Sequence, residues 1–257
     1  MTTTPASMAR ELSYALDPVL WAVERLGFTP DPWQQRVMRS NARQTLLNCS
    51  RQSGKSTSTA VIAAHTAVYK PGSLVLLVSK AQRQSAELLA KVTGFLKVLN
   101  PPPELDSDNL LSLRLANTSR IISLPGDGDS IRGFSAPSLV VEDEAAFVSD
   151  SLYAAIRPML AVSQGRLILM STPHGRRGHF YDAWSNGSSS WVRESITAFD
   201  VPRITKEFLE QERADIGEWW FQQEYMCKFV DSDTQLLSSD SISRAFSRDL
   251  VPLVLVP

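Results

Sequence analysis

Cysteine, histidine and long apolar runs are what this 257-residue chain has least of. Its two cysteines, Cys49 and Cys227, form no CxxC pair, and His65, His174 and His179 stand at no zinc spacing from them. A disulfide framework or a structural zinc module therefore does not carry the fold, and a reducing compartment is expected. The longest apolar runs, such as Leu74–Val78 and Leu167–Met170, fall far short of the ~18 residues of a membrane-spanning helix. The N-terminus lacks the charged, apolar, then small pattern of a secretory signal, so a soluble chain without membrane contact is expected. Charge of one sign is also missing, with a net value of -1. Bulk electrostatics do not mark a nucleic-acid binder. The distribution is uneven: residues 1–100 carry 12 Lys and Arg against 5 Asp and Glu, and residues 101–257 carry 14 against 22. Such asymmetry permits a basic face for phosphates, or simply an uneven solvated surface.

Hydrophobic residues at 43% and charged residues at 21% suffice to build and solvate a large core, which excludes a disordered chain. The length fits one large domain with an appendage. Apolar strands alternate with amphipathic helices. Asp17-Pro18 and Asp31-Pro32 read as helix starts, an N-cap followed by proline at the first helical position. Gln44–Cys49 and Ser73–Ser79 read as buried strands, each followed by a helix. Pro101-Pro102-Pro103 stops the second helix. Residues 110–116 and 119–124 flank Asn117-Thr118 and read as a hairpin at the sheet edge. Ser138–Val141 and Arg166–Met170 are further buried strands, with a helix over Ser149–Val162 between them. Trp191–Thr197 reads as a final strand, and Thr205–Met226 as acidic helices with Trp219 and Trp220 as core anchors in preference to a nucleotide-stacking platform. Strands joined by helical crossovers imply an α/β fold, a mostly parallel sheet covered on both faces.

The chemistry concentrates first at Cys49-Ser50-Arg51-Gln52-Ser53-Gly54-Lys55-Ser56. This segment leaves a strand and opens a helix, the setting a phosphate-binding P-loop requires. Gly54 lets the backbone approach phosphate, and the loop amides and helix N-terminus supply positive potential. Lys55 reaches the β- and γ-phosphates of a nucleotide, and the Ser56 hydroxyl joins the shell of a Mg²⁺ ion. Cys49 stands where the usual pattern has its first glycine.

Leu139-Val140-Val141-Glu142-Asp143-Glu144 is a buried strand ending in acids. Asp143 is placed to hold Mg²⁺ through water, and Glu144, one residue on, to polarise an attacking water as general base. At least one strand, Ser73–Ser79, falls between the two motifs in the chain. That order suits the P-loop ATPases that insert a strand between them and use a glutamate base.

Together with Pro32-Trp33-Gln34, Ile131-Arg132-Gly133 and Met170-Ser171-Thr172-Pro173, these segments resemble the N-terminal ATPase domain of the large terminase subunit, the DNA-packaging motor of tailed phages. The matching segments span residues 32–173, and Glu224-Tyr225-Met226-Cys227-Lys228-Phe229 extends them. An arginine inside the P-loop and an Arg-Gly ahead of the acidic strand are the features that point to terminases rather than to ATPases at large.

The resemblance implies roles. Gln34 corresponds to an adenine-sensing glutamine beside Trp33, although the same residues would serve an ordinary helix start with Trp33 in the core. Ser171 and Thr172 correspond to a coupling motif that senses the γ-phosphate. Arg132 corresponds to an arginine finger acting on a neighbouring subunit, with Arg51 as its rival within the subunit. ATP-binding residues would be Trp33, Gln34 and Ser50 to Ser56, and catalytic residues Lys55, Glu144, Arg132 and Arg51. The implied organisation is a P-loop core over residues 1–175, a small helical lid or linker over 176–232, and a linker over 233–257. That linker would lead towards a nuclease domain, whose acidic cluster is not seen after Phe229. The implied substrate is ATP with Mg²⁺. The implied partners are double-stranded DNA, the portal protein of the procapsid, the small terminase subunit and further copies in a ring, in the host cytoplasm and at the portal vertex. Two other readings are a helicase-like nucleic-acid-dependent ATPase and a nucleotide-binding assembly module with little turnover alone.

Overall fold

A computed structural model describes residues 5–126, 131–231 and 245–246 of the chain. The expected linker over 233–257 lies outside them apart from two residues, as do positions 127–130 of the loop before the acidic strand.

Three helices open the chain: α1 (Pro5–Leu16), α2 (Pro18–Leu26) and α3 (Pro32–Arg39). Both Asp-Pro starts form as expected. The Asp17 carboxylate accepts from the backbone N–H of Val19 and Leu20, satisfying donors that a helix start leaves open. At the start of α3 the Gln34 side chain reaches back to accept from Asp31 N at 2.8 Å.

There follow β1 (Gln44–Cys49), α4 (Lys55–Tyr69), β2 (Leu74–Ser79), α5 (Gln82–Val98), β3 (Leu105–Asn109), β4 (Ser112–Leu115), β5 (Arg120–Pro125) and β6 (Leu139–Asp143). Helix α6 (Asp150–Ser163), β7 (Arg166–Ser171), α7 (Gly178–Ser185), β8 (Trp191–Ile196) and α8 (Lys206–Glu224) complete the described elements.

All eight strands form one sheet in the order β3-β4-β5-β2-β6-β7-β1-β8. It is parallel from β5 to β8, and the pairings of β3 with β4 and of β4 with β5 are antiparallel. The strands are apolar on both faces because both faces are covered. Leu47, Val75, Leu77, Val141, Ile168 and Met170 pack in the core shared with α2 to α5. Their neighbours Leu46, Leu76, Val78, Val140, Leu167 and Leu169 pack in the opposite core, with α6 and α7. Helix α4 presents Ala60, Ala63, Ala64 and Ala67, all fully buried, and such small side chains let it lie close to the sheet.

Several expectations are corrected. One strand does stand between β1 and β6 in the sheet, and it is β7; Ser73–Ser79, which falls between the two motifs in the chain, lies on the far side of β6. The sheet also runs past residue 175: β8 pairs with β1 along its whole length, so the core extends at least to Ile196. The strand outside the expected hairpin is β3, whose polar Asp-Ser-Asp-Asn run carries no apolar alternation to reveal it. Trp219 and Trp220 are not core anchors. Trp220 is 48% exposed, the two rings meet edge to face, and Phe221 is the buried residue beside them. Gly217, at φ 79°, breaks α8 just before them, and the half-buried Trp219 donates its Nε1–H to Asp231 O at 2.8 Å.

Candidate active site

The carboxyl ends of β1, β6 and β7 converge on one side of the sheet, where doubly wound folds bind ligands. A cavity of about 550 Å³ opens there. Gln34, Arg51, Gln52, Ser53, Gly54, Lys55, Ser56 and Glu144 line it, so most of the residues expected to bind nucleotide do meet.

The P-loop conformation follows from its glycine. Gly54 has φ +93°, and a Cβ there would stand 2.8 Å from Gln34 Nε2. Only glycine leaves the cradle open without strain. Ser53 Oγ is buried at the cavity wall and meets no partner among the described residues, whereas Ser50 stands outside the lining. This orphaned hydroxyl, several loop amides and the start of α4 make a surface that suits phosphate oxygens.

Lys55 projects from the first turn of α4, and its Nζ lies 2.9 Å from Glu144 Oε1. Burial opposes the ammonium charge, but Glu144 and Asp143 outweigh it and hold the group above its ordinary pKa. Glu144 sits at φ 54°, a left-handed conformation that turns its side chain off the end of β6. Ser171 Oγ, at the end of β7, donates to Glu144 Oε2 at 3.3 Å. One carboxylate thus touches both the P-loop lysine and the expected coupling motif.

Asp143 accepts from Glu144 N at 3.0 Å. Burial and then the charge of Glu144 push its carboxyl up to about 6, with Lys55 pulling the other way. A buried carboxylate beside a second one is where a divalent cation offsets the desolvation. Asp143 and the Ser56 hydroxyl are hard oxygen donors, which fit Mg²⁺.

The remaining candidates divide. Arg51 lines the cavity, and its Nε donates to Glu224 Oε2 at the end of α8, so α8 is tied to the P-loop. Trp33 is buried in the core and does not line the cavity. Ser50 and Thr172 are buried behind it, and Arg132 is exposed on the segment before β6. Cys49, in the position of the missing glycine, is fully buried in the core, where burial pushes its thiol up to about 12.

The sequence reading missed Phe28, Lys91 and Arg203, which also line the cavity. Arg203 forms a two-nitrogen ion pair with Asp31 and donates to Ser53 O at 3.4 Å. No local pattern marks it, because its partners lie 172 and 150 residues away in the chain. Glu142 was also passed over as part of an acidic run. Its side chain points to the opposite face, where Oε1 meets His179 Nε2 at 2.8 Å, and His179 Nδ1 meets Asp150 Oδ1 at 3.0 Å.

The family model described as terminase large subunit, T4likevirus-type, N-terminal, matches residues 46–248. The chain belongs to that family. It is similar to the large terminase subunit of Thermus phage G20c, 26% identical over 252 residues that cover 84% of this chain and 52% of that protein. The probable large terminase subunit of Enterobacteria phage P7 is 24% identical, with 91% of this chain and 53% of that protein covered. The chain spans about half the length of the curated relatives it matches. Among solved structures, the large terminase ATPase domain of Thermus phage P74-26 superposes with a TM-score of 0.72 at 26% identity, covering 84% of this chain and all of that one. The large terminase of the HK97 bacteriophage, at 16% identity and a TM-score of 0.61, shares the fold over 81% of this chain and 47% of that one.

Proposed function

We propose that this chain is the ATP-hydrolysing motor domain of a large terminase, which couples hydrolysis to the movement of double-stranded DNA into a procapsid. The observation that carries the proposal is the convergence of Lys55, Glu144 and Ser171 behind the Gly54 cradle. The names of the similar proteins, large terminases and a terminase ATPase domain, support it.

In this reading the loop amides and Lys55 hold the β- and γ-phosphates of ATP, and Gln34 and Phe28 border the end of the cavity nearer α3. Lys55 leaves Glu144 for the phosphates, since the more highly charged anion wins its ammonium. That exchange frees the Glu144 carboxylate to take a proton from water as its oxygen attacks the γ-phosphorus. The bond to the β–γ bridging oxygen breaks, and ADP and phosphate form. Ser56 and Asp143 would hold Mg²⁺, which supplies positive charge against the phosphate oxygens. Ser171, released or retained by Glu144 as the pair changes partners, carries the state of the site to β7 and the segment beyond it.

Arg51 cradles phosphate within the subunit, and its tie to Glu224 relates nucleotide occupancy to the lid helix. Arg132 acts as a finger on the ATP of a neighbouring subunit in a ring. The portal protein and the small terminase subunit are the further partners of this reading, with host cytoplasm and portal vertex as its location. The test is the rate of ATP hydrolysis with and without duplex DNA and portal. A rate that rises with both supports a packaging motor. A rise with DNA alone favours a helicase-like ATPase, and no turnover under any condition favours an assembly module.

A further inference from the structure

The amino ends of the parallel strands, on the side of the sheet away from the nucleotide cavity, carry a second concentration of positive charge. Arg166 is the first residue of β7, and its Nε and Nη2 are buried without an acceptor among the described residues. Burial pulls its guanidinium below the ordinary pKa, and no carboxylate offsets that pull. Buried charged donors left unmatched are destabilising, so the position calls for an anion.

Arg166 lines a cavity of about 250 Å³ with Lys70, His65, Ser138 and Gln164. Gln164 and Gly165 connect it to a second cavity of about 220 Å³, which Arg43 and Arg157 line. Arg43 immediately precedes β1, and its carbonyl accepts from Leu167 N at 2.8 Å, so Arg43 stands beside the Arg166 end of β7. Arg157 faces the same opening from α6 and also lies over the Tyr153 ring, at 5.8 Å from its centroid. None of these four cations has an ion-pair partner among the described residues, whereas Arg36, Arg39, Arg51 and Arg203 all do. Each cavity is less than half the size of the nucleotide cavity and suits a phosphate group rather than a whole nucleotide.

We propose that this edge is a phosphate-binding site, centred on Arg166 and completed by Arg43 and Arg157. A planar guanidinium fork matches two phosphate oxygens at once. Several such groups in a row match phosphates better than an isolated carboxylate. The phosphate comes either from the backbone of duplex DNA or from the free ion, and the chemistry of recognition is the same for both.

The experiment uses the full chain with its P-loop saturated by a non-hydrolysable ATP analogue, which keeps the nucleotide site out of the measurement. A fluorescent 20-base-pair duplex, followed by anisotropy, and inorganic phosphate, followed by calorimetry, are titrated into wild type, Arg166→Gln and the double variant Arg43→Ala/Arg157→Ala. The double variant changes exposed side chains only and retains the wild-type melting temperature. Binding of either probe should weaken about ten-fold or more in both variants, with affinity for the ATP analogue unchanged. If the duplex is the source, the double variant should also lower the salt dependence of binding by about two phosphate contacts, roughly 0.9 each in the log–log slope. Loss confined to inorganic phosphate identifies the free ion. Wild-type affinity for both probes in both variants, or no binding of either probe by wild type, overturns the proposal. Neither outcome touches the nucleotide site, which the ATP analogue reports separately.

Discussion

Lys55 Nζ lies 2.9 Å from Glu144 Oε1, so the lysine proposed to bind phosphate and the carboxylate proposed to activate water hold each other. The pair keeps Lys55 charged at the mouth of the cradle, and it keeps Glu144 occupied until an anion competes for the lysine. Glu144→Gln removes both the base and the competitor. Hydrolysis should fall about 10²- to 10⁴-fold, the usual contribution of a positioned base, while ATP binds as tightly as to wild type or more so. Phosphate release and calorimetry on the same protein check this. Weaker binding together with wild-type turnover would place the base elsewhere, with Asp143 next in line.

Gly54→Ala introduces a side chain at φ +93° and 2.8 Å from the Gln34 amide. The left-handed backbone costs about 1–2 kcal/mol for an L-residue, and the cradle narrows as well. The melting temperature should drop by several degrees and nucleotide binding should weaken sharply. Thermal melts with and without nucleotide measure both effects. Full binding by the variant would show that phosphate does not approach the backbone at this point.

His179 links β6 to α6 through Glu142 and Asp150. Burial lowers the imidazole pKa, but bonds to Glu142 and Asp150 outweigh it, so His179 titrates above its ordinary 6.5. A raised folded pKa gives stability that is complete below 6.5 and is lost as pH climbs through the raised value. His179→Gln should destabilise the protein at pH 6 by about 3 kcal/mol, because it strips a buried carboxylate of its partner. The gap to wild type should shrink as pH rises towards 9. Denaturant melts across that range decide it, and a gap that widens with pH would reverse the assigned direction.

Arg132 is exposed and stands outside the cavity lining, whereas Arg51 is part of it. If Arg132 serves a neighbouring subunit, Arg132→Ala and Glu144→Gln should each be inactive alone and partly active when mixed. Phosphate release from mixtures at high concentration, or from the motor assembled on portal, reads this out. No recovery under conditions where wild type turns over, with Arg51→Ala reproducing the defect, would assign the finger role to Arg51.

Much of the site was legible because its parts are local. The P-loop is eight consecutive residues, the acidic strand six, and the Asp-Pro helix starts two each; all carry their geometry in their own sequence. The apolar strands were legible because burial on both faces leaves unbroken runs. What failed depends on distance or on polarity. β3 is an exposed, polar edge strand that only its pairing with β4 defines. Arg203 reaches the P-loop from a segment with no motif. Trp33 and Gln34 are adjacent, yet a helix start points one into the core and the other at the loop. The order of strands in the sheet, with β7 between the two motif strands, follows from crossovers that no window of sequence records.

The central claim, that this chain hydrolyses ATP at the Gly54–Lys55 cradle, is tested most directly by the steady-state rate of phosphate release from Mg·ATP by wild type and by Lys55→Ala at equal concentration. Lys55 is buried at the cavity wall and, among the described residues, ion-paired with Glu144 alone, so its loss should leave the fold and its circular dichroism intact. Release by Lys55→Ala should drop to background while wild type turns over. Equal rates from the two proteins, each folded, would contradict the account.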